Sequence, residues 1–243
     1  ILGPAMRDVG QLSVAFADAM NTQNKLGMDL DGQLGSNIFD IPSFRGLAYS
    51  DTNGDYVVTA QITEGKGAEL TDADYKIEVT AVTAGVPSQI EITLLNADGT
   101  PKKDASGNDI IYSNYAVTAG FNELPGGIEV DFSGTDPYTV GNEFLIQPTK
   151  DIASKITLET NRPEDLAFAS PVRAGANNTN LGSANVIDVT VSNTEVGASA
   201  FDGAGGLLNS APAQINFTAA DTYDVVDGSG NVLSTVTGTT DLT

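Results

Sequence analysis

The 243-residue sequence predicts a mainly β fold led by one long N-terminal α-helix, with antiparallel β modules, sandwich- or barrel-like, projecting from the helical segment. Three observations carry this expectation. Apolar residues recur at helical spacing in the first 27 positions, and from about residue 56 the period shortens to two. The 26 Gly lie in stretches rich in Thr, Asn, Ser and Asp, while aromatics make up 7% and Trp is absent, which suits many short strands and turns. At 40% hydrophobic and 18% charged, a chain of this length buries a real core.

In the first segment Leu2, Ala5, Val9, Leu12, Phe16, Ala19 and Leu26 fall at alternating spacings of three and four, with Gln23 at the remaining heptad place. Such a stripe is what a helix presents to a coiled-coil or bundle partner, and Pro4 is tolerable near its first turn. From Pro4 to Lys25 the helix would run ~33 Å. Leu2, Val9, Leu12 and Phe16 are the candidate packing residues. Nothing else in the chain offers a comparable helix, so the partner is expected outside it. The first residue is Ile1 rather than Met, and the expectation is a piece of a longer chain.

Strands are expected at 56–62, 75–81, 89–95, 109–117, 127–132, 143–147, 155–159, 185–192, 213–218, 223–227 and 231–237, where apolar and polar residues alternate between turn formers such as Asn96-Ala97-Asp98-Gly99. Pro163, followed by Glu164 and Asp165, starts an expected short helix through Ala169, and a polar junction follows. Three domains are expected: 1–27, a helix of an axial bundle; 28–165, a first β domain; and 166–243, a second. PSQIEIT (87–93) with DASGN (104–108) echoes PAQINFT (212–218) with DGSGN (227–231). The second copy lacks the continuation that follows the first, so the second module is expected to be incomplete.

Cys and His are both absent, which removes disulfides, thiolate and imidazole catalysis and the usual zinc ligands. Lys plus Arg number 11 against 32 Asp plus Glu, a net charge of −21 that repels nucleic acid and anionic lipid. No apolar run approaches the ~20 residues that span a bilayer. Neither nucleic acid nor membrane is an expected partner. Asp51, Asn53 and Asp55 are spaced like the opening of a calcium loop, but Gly54 stands fourth and Ile62 twelfth, where an EF-hand needs Gly sixth and Glu twelfth. They remain weak metal candidates. Asp29 and Asp31 suit an Asx turn equally well. GAGG at 203–206 lacks the Lys and Ser/Thr of a phosphate loop, and so many acids make any one carboxylate pair uninformative. No catalytic constellation and no cofactor are expected.

The run from Leu12 to Phe39 resembles the flagellar hook-associated protein 1 family, in which a long helix ends in an Asn-rich turn followed by Gly-x-Asp-Leu-x-Gly, a further Gly and a hydrophobic pair ending in Phe. Gly27, Asp29, Leu30, Gly32, Gly35, Ile38 and Phe39 fill that pattern. GGIEVDFSGTDPYTVGNEFLIQPTKDIASKI (126–156) and NRPEDLAFAS (161–170) are similar to further family segments, although Asp136-Pro137-Tyr138 replaces a small-residue turn. The terminal coiled-coil segments of the family are missing here. The resemblance implies a structural, non-enzymatic role in motility, as an adaptor at the hook-filament junction of the bacterial flagellum. It implies type III export without a cleaved signal and an extracellular location. Its implied partners are other flagellar axial proteins: hook protein, a second junction protein and further copies of the full-length chain. The fragment alone is expected to be monomeric. An acidic adhesin-like or calcium-binding extracellular β module is the alternative, and a carboxylate hydrolase a further rival. In the family reading Gly27 caps the helix in the left-handed conformation, Asp29 and Asp31 hold the next turn, and Gly32 and Gly35 redirect the chain into the first sheet.

Overall fold

The computed structural model describes residues 2–49, 56, 58–132, 137–180, 189–203 and 205–238. The chain divides into two compact units, one made of Ile1–Thr22 and Ile38–Glu159, the other of Gln23–Asn37 and Thr160–Thr243. A single long helix, α1 (Leu2–Lys25), opens the chain. The amides of Leu26 and Gly27 bond back three residues to Gln23 and Asn24, a tightened last turn, and Lys25 suits the negative end of the helix dipole.

The first unit holds most of the strands. They are β1 (Phe39–Asp40), β2 (Phe44–Arg45), β3 (Leu47–Ala48), β4 (Thr59–Ile62), β5 (Asp74–Thr83), β6 (Val86–Leu95), β7 (Ile111–Ala116), β8 (Phe121–Leu124), β9 (Ile128–Asp131), β10 (Glu143–Ile146) and β11 (Thr157–Leu158). Two open antiparallel sheets, ordered β3-β10-β5-β6-β7 and β2-β4-β9-β8, share one core, and β1 pairs with β11. Period-two alternation explains the burial. Tyr75, Ile77 and Val79 of β5, Ile90 and Ile92 of β6, Ile128 and Val130 of β9 and Phe144 and Ile146 of β10 all point into that core. The arrangement is a sandwich; neither sheet closes into a barrel. Tyr138 is buried, stacked on Tyr56 at 5.3 Å and edge-on to Phe132 and Phe144.

In the second unit β12 (Pro212–Ala219), β13 (Thr222–Asp227) and β14 (Val232–Thr237) form an antiparallel meander. The expected strand at 185–192 falls partly outside the described residues, and 189–192 take no regular structure. The helix expected from Pro163 to Ala169 is one turn only, Pro163–Asp165, because the backbone beyond it is claimed by tertiary bonds: Ala169 forms an antiparallel bridge with Met28.

One turn recurs. In the Asp29, Asp104 and Asp227 turns the residue's amide donates to the carbonyl four positions on, its carbonyl accepts from the Gly three positions on, and its Oδ1 accepts backbone N–H groups two and four positions on. The Gly sits at φ +75, +84 and +88 in the three cases, where any other residue is strained. The two echoing segments DASGN and DGSGN therefore share a turn as well as a spelling.

Candidate helix interface

Residues Arg7, Gly10, Val14, Ala17, Asp18, Asn21 and Asn24 form the buried face of α1. They occupy the f, b and c places of the heptad whose a and d places carry the apolar stripe. In an isolated coiled coil those places face water. Here they meet the β chain, and most of the bonds are polar.

Within the first unit Arg7 Nε and Nη2 grip both oxygens of Asp74 at 3.1 and 2.6 Å, each side chain 4% exposed, and Gln147 Nε2 donates to the same carboxylate at 2.6 Å. The Asp74 hydrogen bond raises the Arg7 pKa further above its already high ordinary value, against the opposing effect of burial. Gly10 lies so close to the Thr149 carbonyl that a Cβ would stand 2.1 Å from it. Asp18 accepts the amides of Gly65 and Gly67 at 2.9 and 2.8 Å, and Asn21 accepts those of Ile38 and Phe39 while donating to the Phe39 carbonyl at 2.8 Å. Only Val14 of the helix joins the apolar core.

Within the second unit Asn24 does the equivalent work. Its Nδ2 donates to the carbonyls of Ser36 and Asp165, and its Oδ1 accepts the amide of Ala167 at 2.8 Å. Of the expected helix-end residues Gly27 and Gly35 lie against it, with one correction. Gly27 does not adopt the left-handed conformation; it is required because a Cβ there would lie 2.0 Å from the Ala167 carbonyl. Gly35 is similar, since its Cβ would lie 2.0 Å from the Asn24 carbonyl. Gly32 is the left-handed residue, at φ +75 with open space around it. Asp29 Oδ1 is committed to two backbone amides, and Asp31 pairs with Arg162 at 2.8 Å. Asp51, Asn53 and Asp55 lie outside the described residues.

The apolar stripe faces solvent. Leu2, Val9, Leu12 and Phe16 are 73%, 55%, 70% and 56% exposed, and Met6 and Met20 extend the surface. Phe16 alone among the four has an aromatic neighbour, Phe39, edge-on at 5.8 Å. Sequence reasoning located this stripe but missed Arg7, Asp18, Asn21 and Asn24, whose residue types read as solvated. Their shared spacing of three and four was the available signal.

Residues 1–39 match the family described as the flagellar hook-associated protein FlgK helical domain. The fold of the chain is similar to that of the solved flagellar hook junction protein FlgK from Burkholderia pseudomallei, with a TM-score of 0.65 over 93% of this chain and 35% of that one, at 24% identity. The class by fold is therefore a helix-led chain of antiparallel β modules. Flagellar hook-associated protein 1 of Escherichia coli is 29% identical over 81% of this chain and 32% of its own length; that of Salmonella typhimurium is 30% identical over 67% and 26%. The chain is thus similar to flagellar hook-associated protein 1 over two thirds or more of its own length, and residues 1–39 match the FlgK helical domain. It spans between a quarter and about a third of the length of these relatives.

Proposed function

We propose that this chain is the structural core of an adaptor at the hook-filament junction, exported without a cleaved signal peptide and sited in the extracellular flagellum. The observation that carries the reading is the two-faced helix. Its polar face is consumed by its own β domain, while Leu2, Val9, Leu12 and Phe16 hold an exposed apolar stripe within the segment that matches the FlgK helical domain. Such a stripe is buried when helices of the full-length chain and of neighbouring axial proteins, hook protein, second junction protein and further copies among them, pack around it. The role needs no catalysis and no cofactor.

The test is made in the full-length protein. Replacing Leu12 with Asp puts an unpaired charge in the stripe without touching the docked face, so the folded β units should persist while filaments fail to attach to hooks in electron micrographs. Normal filaments on flagella that lack the chain altogether would overturn the proposal.

A further inference from the structure

Most cations of this acidic chain are already taken. Arg7, Lys66, Lys76, Lys102, Lys103 and Arg162 each hold a carboxylate of the same chain. Arg45, Lys150 and Lys155 hold none among the described residues, and all three line one groove of the first unit, about 400 Å³ in volume. Pro42, Leu47 and Pro148 give it apolar lining, and Asp151 is its one acidic lining residue. Lys150 is tethered only to the side-chain carbonyl of Gln147, at 3.2 Å. One side of the groove belongs to β2 and β3, which are the outermost strands of their two sheets.

Three free cations against Asp151 give the groove a net positive lining, opposite in sign to the −21 of the whole chain. Edge strands beside it suit an extended segment. We propose that the groove is an interaction surface that receives an acidic extended segment of a neighbouring copy of this chain. A second copy fits because the net charge of −21 makes its surface the complement the groove requires. The proposal rests on the reading that copies of the chain assemble side by side. It adds a contact on the β domain, separate from the helix stripe. At long range the like net charges repel, so the contact forms where assembly already holds the copies together.

The experiment places a photo-crosslinking phenylalanine derivative at the exposed groove residue Ser43 of the full-length protein in assembled flagella, and identifies the captured peptide by mass spectrometry. The expected result is an acidic peptide of the same protein, with a yield reduced by about tenfold when Arg45→Glu and Lys155→Glu are combined. The conservative pair Arg45→Lys and Lys155→Arg should retain the yield. Capture of another protein, capture of a segment without acidic residues, no capture, or a yield indifferent to charge reversal would each overturn the groove proposal while leaving the junction role intact. Absence of the chain from flagella would overturn both.

Discussion

Asn21 satisfies three backbone groups of the segment that follows the helix, and each would be left buried or half-buried without that partner by an apolar replacement. Asn21→Leu should therefore destabilise the first unit by about 2–4 kcal/mol in urea titration of the isolated chain, although Leu suits a helix better than Asn does. At the helix end, Gly27→Ala and Gly35→Ala drive a methyl into a carbonyl and should each cost about 3 kcal/mol, whereas Gly32→Ala meets open space and should cost about 1 kcal/mol of left-handed strain. Equal losses at the three positions would contradict the close-approach reading. The Asp104 and Asp227 carboxyls are held below their ordinary value of 3.8 by bonds to Asn108 and Asn231 and to turn amides. A depressed folded pKa stabilises above the ordinary value and is lost as pH falls through the depressed one. Melting temperature should thus fall on acidification below about pH 4, and the slope should be shallower in Asp227→Asn, whose amide oxygen keeps the turn but does not titrate in that range.

The helix as an element is a molecule with two interfaces of opposite chemistry. Its docked face combines a buried ion pair, close backbone approach and side-chain bonds to main chain. Breaking the ion pair from one side leaves a buried charge. Arg7→Met should accordingly cost about 3–5 kcal/mol, with part recovered when Asp74→Asn is added, as judged by a double-mutant cycle. Phe16→Ala removes only a half-exposed ring and its edge contact to Phe39, so it should cost about 1 kcal/mol. Hydrogen exchange should then rise at the helix and stay unchanged in β12, β13 and β14. Equal loss of protection in both regions would count against separate domains.

At the scale of the whole molecule, charge and exposed apolar surface compete. The isolated chain should sediment as a 25.1 kDa monomer at low salt, because copies bearing −21 repel one another. A stable dimer at low salt would contradict this. Screening should bring weak self-association as salt rises, since apolar attraction survives where Coulomb repulsion does not.

Much of this was legible from residues alone. The period change from α1 to the strands, the alternation along Tyr75 to Val79 and the Asp-x-x-Gly turns are local signals, and β4, β5, β6, β9 and β10 emerged near their expected places because local pattern and burial agree there, whereas β8, with only Leu124 buried, was not expected. The stripe of Leu2, Val9, Leu12 and Phe16 was legible for the same reason. Tertiary structure alone decided which face of α1 the β domain takes. Polar residues at b, c and f places are compatible with water, and only the arrival of Asp74, Gly65, Gly67, Ile38 and Phe39, distant in sequence, makes them buried partners. It also decided why Gly27 is glycine. A left-handed cap is a property of the local backbone and can be read from a sequence, but close approach by Ala167 is a long-range fact, set by packing and invisible until the chain folds.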